Sequence, residues 1–174
     1  MHRPIAVSIF GILNLAKGAV GIIGLLWTPL FFSGAAASNN PVIKILAENA
    51  AYMKWIKIMT PIGIIVTGVL LATGVGLLKL KPWARKLSIG YAIYAIIFLL
   101  INVPVNFLLV YTPMLEQARQ LQGPEAAGMI FGAIAGVLGG ILGLVYPVLL
   151  WIFMTRPNVI AAFQTPPPLP ANVT

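Results

Sequence analysis

Long apolar runs separated by short polar segments make up most of this chain. Four of the runs reach the length of roughly 20 residues that an α-helix needs to cross a hydrocarbon core about 30 Å thick. The four predicted spans are Ile5–Trp27, Pro61–Leu78, Leu87–Tyr111 and Met129–Met154. The pattern therefore predicts an all-α fold, an integral membrane four-helix bundle.

Composition agrees with a lipid environment. Apolar residues make up 60% of the chain and charged residues only 8%, whereas a soluble domain carries about 25% charged residues. The first run has Arg3 before it and small residues, Ala35 to Ala37, after it, as a signal peptide would. It is longer than the 7–15-residue core of a signal peptide and contains Lys17, so we interpret it as a retained span.

The loop between the first and second spans and the loop between the third and fourth spans have helical features of their own. Asn39-Asn40-Pro41 is typical of a helix start, and apolar residues recur at helical spacing from there to Ile56. This predicts an interfacial amphipathic helix that leads into the second span, with a kink near Pro61 and Gly63. A second short helix is predicted over Met114–Gln122, before Gly123-Pro124.

The domain organisation follows from the same pattern. Residues 1–156 form one transmembrane domain, and residues 157–174 form a proline-rich tail. The tail is predicted to be cytoplasmic and disordered, because its composition favours an extended chain. A binding module that recognises Pro167 to Pro170 is the less favoured alternative.

Lys and Arg indicate the orientation, because cytoplasmic loops are enriched in both. Four basic residues lie between Lys79 and Lys86, and the chain has a net charge of +8 with only three acidic residues. With both termini in the cytoplasm, this loop, Arg3 and Arg156 lie inside without any acid, whereas four basic residues and all three acids lie outside. The four are Lys44, Lys54, Lys57 and Arg119. The inside basic residues are then expected to contact anionic lipids at the inner face, and nucleic acid is not an expected partner.

Several kinds of chemistry lack the residues they require. The chain has no Cys and no Asp, and His2 is its only histidine. A Ser-His-Asp triad and the usual clustered metal ligands are therefore excluded, and no phosphate-binding or dinucleotide-binding glycine motif is present. The three glutamates, Glu48, Glu116 and Glu125, are interpreted as solvated charges. We expect neither an enzyme nor a bound cofactor.

Small residues recur at four-residue spacing along the fourth span. They are Gly128, Gly132, Gly136 and Gly140. Such a stripe lets another helix backbone approach closely, which is how helices associate in lipid. The partner helix could come from a second copy, from another membrane subunit, or from this chain's own bundle, and the spacing does not choose between them.

One charge lies inside a span. Lys17 is about 18 Å from the start of the first helix at 1.5 Å per residue, and no acid lies in any predicted span. Asn14, Thr67 and Asn102 lie at similar predicted depth, so we predict a mid-membrane polar cluster with Lys17. The alternative is that Lys17 extends toward an interface while the other three groups hydrogen-bond between helices.

Two segments that follow the second and fourth spans carry a family resemblance. The segments are Gly76-Leu-Leu-Lys-Leu-Lys-Pro-Trp-Ala-Arg-Lys-Leu87 and Thr155-Arg-Pro-Asn-Val-Ile-Ala-Ala-Phe163. They resemble turns of small, uncharacterised four-span proteins of bacterial inner membranes. The two segments cover 21 of the 174 residues. The resemblance implies a bacterial plasma membrane location and the same architecture, and it implies no activity.

Two functions are consistent with these features. The first is a non-enzymatic structural or accessory protein that assembles, with itself or another subunit, through glycine-rich helix faces. The second is a small transporter, channel or anion- or lipid-binding bundle that uses the cluster around Lys17.

Overall fold

The computed structural model of the chain describes residues 4–34 and 41–164. The regular elements in these two ranges are helices without any strand, so the predicted all-α fold is confirmed. A π-helix covers Phe107–Tyr111, between the α-helix that ends at Asn106 and the one that begins at Thr112. The α-helices are α1 (Ile5–Phe31), α2 (Pro41–Glu48), α3 (Ala50–Leu78), α4 (Pro82–Asn106), α5 (Thr112–Gln120), α6 (Pro124–Gly143), α7 (Val145–Met154) and α8 (Pro157–Ala162).

Four helical segments are long and apolar enough to cross a membrane. They are Ile5–Leu30, Ala50–Leu78, Pro82–Gln120 and Pro124–Met154. The third segment runs from α4 through the π-helix into α5, and the fourth combines α6 and α7. The chain is therefore a multi-pass membrane protein, and each long segment includes one of the four predicted spans.

The predicted amphipathic helix is shorter than the apolar spacing suggested. It ends at Glu48, and the next helix begins at Ala50 and continues through Pro61 and Gly63. Asn49 separates the two, because its side-chain Oδ1 accepts a hydrogen bond from the Tyr52 backbone N–H at 3.0 Å and so caps α3. The second span thus starts eleven residues earlier than predicted (50 against 61). Asn39 and Asn40 lie outside the described residues.

The second short helix is displaced by two residues at each end from its prediction. It covers Thr112–Gln120 and continues directly from the π-helix. Gly123, with φ at +85°, then redirects the chain, a conformation that glycine adopts without steric cost. Pro124 follows at the first position of α6, where a missing N–H leaves no bond unmade.

The tail predicted from residue 157 begins as a folded element. Pro157 starts α8, and Val159 and Phe163 are buried in a core cluster with residues of the membrane spans, such as Val7 and Met154. Apolar residues at that spacing give the helix one face to pack, which the proline-rich composition of the whole segment obscured. The proline-rich stretch itself, residues 165–174, lies outside the described residues, as do His2 and Arg3.

Glycines bring α1 and α3 into close contact. A Cβ atom added to Gly74 would lie 3.0 Å from the Gly11 carbonyl oxygen, and one added to Gly11 would lie 3.3 Å from the Gly74 carbonyl oxygen. Farther along the pair, Gly18 faces Leu71 and Gly21 faces Thr67. Backbone approach of this kind is a principal source of helix association in lipid. The first two spans therefore form one tightly packed pair.

The bundle has two chemically different ends. The basic end carries Lys79, Lys81, Arg85, Lys86 and Arg156 and none of the three acids. The acid-bearing end carries Glu48, Glu116 and Glu125 together with Lys44, Lys54, Lys57 and Arg119. The main buried core lies toward the basic end. Its members are Val7, Phe10, Leu77, Ala84, Ala92, Leu150, Met154, Val159 and Phe163.

Candidate functional site

A buried polar group joins three helices near the middle of the bundle. Asn14 of α1 is fully buried, and its Nδ2 donates a hydrogen bond to Thr73 Oγ1 of α3 at 3.0 Å. Its Oδ1 accepts a hydrogen bond from the Tyr146 hydroxyl of α7. Asn14 therefore uses both ends of its amide, as a buried polar group in lipid must.

Lys17 lies one turn farther along α1 and contacts the same tyrosine. Its Nζ is 4.2 Å from the centroid of the Tyr146 ring, within the range of a cation–π interaction. The hydroxyl of Tyr146 thus binds Asn14 while its ring faces the ammonium group. The Lys17 side chain is nevertheless exposed rather than enclosed by its neighbours.

Lys17 lines a cavity of about 280 Å³, here called the Lys17 chamber. Apart from the lysine, the chamber is apolar and aromatic. Its lining residues are Lys17, Met59, Ile62, Gly63, Val66, Tyr91, Tyr94, Ala95, Phe98, Leu99, Gly143 and Pro147. None of these described residues is acidic. The chamber therefore presents one cation without a carboxylate on its own wall.

Packing closes the bundle between the Lys17 chamber and the basic end. The Phe10 ring is 6.1 Å from the Tyr146 ring and 5.5 Å from the Phe153 ring, centroid to centroid. Beyond them Leu150 and Met154 are fully buried in the main core. Arg85 adds a bond across this end, because its Nη1 donates to the Met154 carbonyl oxygen at 2.9 Å.

A second cavity, here called the wide cavity, of about 740 Å³, lies on the other side of the Lys17 chamber, toward the acid-bearing end. Met59 and Phe98 line both cavities. The wide cavity also contains both tryptophans of this end and several polar groups. Its lining residues are Gly24, Leu25, Trp27, Thr28, Phe32, Ile43, Leu46, Tyr52, Trp55, Ile56, Met59, Thr60, Phe98, Asn102 and Asn106.

The predicted polar cluster is brought together only in part. Asn14 and Lys17 meet at Tyr146, as described above. Thr67 is buried against Gly21, on the seam between α1 and α3. Asn102 lines the wide cavity and a small cavity of about 140 Å³ beside Gly136 and Gly140, and it does not line the Lys17 chamber.

Depth along the helices could not reveal these partners, because it gives no information about the direction in which a side chain points. Tyr146, which contacts both Asn14 and Lys17, was not among the predicted site residues. Its phenol in an otherwise apolar run was the available signal, since a buried tyrosine hydroxyl usually finds a hydrogen-bond partner.

The glycine stripe of the fourth span divides into two parts. A Cβ atom added to Gly136 would lie 2.5 Å from the Tyr111 hydroxyl, and one added to Gly140 would lie 3.0 Å from Val103 Cγ2. Both glycines therefore pack against the third span of the same chain. Gly132 makes only an ordinary contact, 3.6 Å from Met114 Cε, and Gly128 has nothing within 4 Å.

The described residues contain no group of three or more His, Cys, Asp or Glu side chains that could hold a metal ion. The chemistry that the chamber offers is instead the binding of a negative charge beside an apolar, aromatic surface. In comparisons with family models, curated proteins and solved structures, no match to this chain was found. Its function is therefore inferred from its own geometry.

Proposed function

We propose that this protein is a non-enzymatic membrane protein that binds an anionic amphiphile, with Lys17 contacting the negative group. The observation that carries the proposal is the position of Lys17 on the wall of an apolar chamber whose described lining contains no acid. A ligand with one negative charge and an apolar body matches both features. Pockets for small ligands are typically apolar with a few placed polar groups.

A charge inside a span has a free-energy cost that a polar contact can offset. A lysine at the centre of a span costs about 2.5–3.5 kcal/mol on insertion scales. The contact with the Tyr146 ring returns about 0.5–2 kcal/mol, the range of cation–π interactions. The remainder is offset when a negative group of a ligand, or water, contacts the ammonium.

We favour binding over conduction because packed side chains close the chamber toward the basic end. Toward the basic end the path meets Tyr146, Phe10 and the buried side chains of Leu150 and Met154. A conducting pore needs a polar or hydrated path through the whole bundle. A chamber closed on one side is better suited to holding a molecule.

The cellular setting proposed here follows the charge distribution. Lys79, Lys81 and Lys86 of the basic end are exposed, and basic loops favour the cytoplasmic side. We propose that the protein resides in a bacterial plasma membrane with both termini in the cytoplasm. The basic end would then contact anionic lipids of the inner leaflet.

Native mass spectrometry of the protein gently extracted from its own membrane tests the proposal. We expect the wild type to retain a defined anionic amphiphile, and Lys17→Met to lose it, while Lys17→Arg keeps it. Lys54→Met is the matched control, because Lys54 is exposed and lies outside the Lys17 chamber. Equal retention by Lys17→Met and Lys54→Met, or a wild type without such a ligand, would contradict the proposal.

Assembly through the fourth span is a second candidate function, and an open helix face favours it. Gly128, Ala135 and Gly139 are exposed, and a Cβ atom added at Gly128 or Gly139 would meet nothing within 4 Å. A second copy or another subunit could pack there. Gly136 and Gly140 are less suited to this role, because they already contact the third span.

The two glycine faces can be separated by mutation. Gly139→Leu is expected to reduce any oligomer while leaving the fold intact, because the added side chain points into open space. Gly136→Leu is expected instead to destabilise the monomer through its contact with Tyr111. An oligomer that persists unchanged in Gly139→Leu would exclude this face as the interface.

A further inference from the structure

Two residues form a shared wall between the Lys17 chamber and the wide cavity. Met59 of α3 and Phe98 of α4 line both. Both side chains are partly buried. Methionine is the most adaptable apolar side chain, because it is unbranched and rotates about three bonds. A wall built from it can change shape without a change in the backbone.

The wide cavity differs chemically from the chamber behind that wall. It contains the hydroxyls of Thr28 and Thr60 and the amides of Asn102 and Asn106. The threonines donate to carbonyl oxygens of their own helices, at 2.7 Å to Gly24 and 2.8 Å to Ile56. The path from the acid-bearing end to Lys17 therefore passes from a mixed polar and aromatic surface to an apolar one that ends at a cation.

The helix arrangement explains why the wide cavity lies toward the acid-bearing end. Close glycine contacts hold α1 against α3, and α4 packs against α7 toward the basic end. Toward the acid-bearing end, α6 packs against α5 and α4, and the wide cavity lies between α1, α3 and α4. Packed core thus joins the two pairs of spans on the basic side of Lys17. On the other side the wide cavity lies between them, and beyond it Asn49 Nδ2 joins them again by donating to the Leu109 carbonyl oxygen at 3.0 Å.

We infer that the wide cavity is the entrance to the Lys17 chamber, and that Met59 and Phe98 form the gate that an apolar monoanion passes to reach Lys17. This inference rests on the proposed function for the identity of the ligand. It adds the direction of entry and the two residues that select by size. A bulkier residue at the gate slows entry, and a smaller one speeds it.

Thiol labelling measures this access without the ligand, because the chain contains no cysteine of its own. The reporter is Val66→Cys, which lies on the chamber wall. Its control is Ile65→Cys, at the preceding residue, which is 67% exposed on the outside of the bundle. Gln122→Cys marks the acid-bearing end and Lys79→Cys the basic end, since both residues are exposed. The probe is a small, charged, membrane-impermeant thiol reagent applied to sealed vesicles.

We expect Val66→Cys to react from the same side as Gln122→Cys and not from the side of Lys79→Cys. Adding Met59→Trp should slow that reaction about tenfold or more, and adding Met59→Ala should speed it. Ile58→Trp, which adds the same bulk at a 49% exposed neighbour, should leave the rate unchanged. Ile65→Cys should not react with the impermeant reagent.

Three labelling results, and a fourth in which no labelling occurs, would overturn the inference. The three are labelling of Val66→Cys from the basic end, a rate unaffected by Met59→Trp, and labelling only by a membrane-permeable reagent, which would indicate entry sideways from lipid. A Val66→Cys that reacts with neither reagent also contradicts it. Failure of the proposed function is recognised separately, because the labelling pattern would persist in a protein that retains no amphiphile.

Discussion

The two halves of this bundle use similar apolar residues and are packed differently. The half toward the basic end contains the main buried core, from Val7 and Leu77 to Leu150 and Met154. The half toward the acid-bearing end contains the wide cavity of about 740 Å³ and a smaller buried cluster around Val110 and Met129. The Lys17 chamber lies where the two halves meet.

The difference arises from where backbones can approach. In lipid, apolar side chains gain little by leaving the solvent, so packing and hydrogen bonds decide which helices associate. Gly11 and Gly74 allow α1 and α3 to touch, and Gly76 allows the turn into α4 to close on Ala84. Toward the other end, Gly63 makes only an ordinary contact, its added Cβ lying 3.5 Å from Leu25 Cδ2, and it lines the Lys17 chamber. Free space beside a cation is what a ligand site requires.

The largest expected effect comes from the packed half. Leu150→Ala should lower the free energy of unfolding by about 2–3 kcal/mol, because Leu150 is fully buried and its removal leaves a void. Met59→Ala, at the wall of two existing cavities, should cost well under half of that. Unfolding in detergent micelles gives both values, with Leu149→Ala as the exposed control. Similar losses at Leu150 and Met59 would mean that the halves are equally packed.

A smaller effect is expected at the glycine contact of α1 and α3. Gly74→Ala should destabilise the fold by about 1–3 kcal/mol, the usual cost of overpacking, because its new Cβ would lie 2.7 Å from Leu15 Cγ. Gly68→Ala, on the same helix with nothing within 4 Å, should be neutral or slightly stabilising. If both variants have the stability of the wild type, the close seam is absent.

The smallest effect is expected where the two halves meet. Tyr146→Phe removes the hydroxyl that donates to Asn14 and should cost about 0.6–1.7 kcal/mol, as measured for hydrogen bonds between membrane helices. The ring remains over Lys17, so ligand retention should be preserved. Tyr146→Leu should reduce both stability and retention. Loss of the ligand in Tyr146→Phe would assign the hydroxyl, rather than the ring, to the binding site.

Hydropathy predicted the number and the approximate positions of the membrane spans. Four apolar runs of sufficient length gave the four spans, but not their ends, since a helix continues as long as its backbone bonds are made. The extension of α3 back to Ala50, across Lys54 and Lys57, illustrates this. The cap at Asn49 and the helix Pro157–Ala162 depend on local geometry that the apolar pattern does not record.

Residue spacing predicted which side chains of the candidate site lie together on one helix. It did not predict which side chains of different helices contact each other. Asn14 and Lys17 lie one turn apart on α1, so their association followed from spacing. Their shared partner, Tyr146, lies 132 residues from Asn14 in the chain. Asn102 has a similar depth but lines other cavities, because the rotation of α4 about its own axis is fixed by packing that a single sequence does not reveal.

We propose that Lys17 binds the negative group of an amphiphile, and one pair of probes tests this directly. A fluorescent long-chain fatty acid and the alcohol with the same chain differ only in the carboxylate. We expect the purified wild-type protein to bind the acid about 10- to 100-fold more tightly than the alcohol, as a charge-assisted hydrogen bond would provide. In Lys17→Met the two affinities should become equal, while Lys54→Met keeps the preference. An acid preference that survives Lys17→Met, or a wild type that binds both probes equally, would contradict the claim.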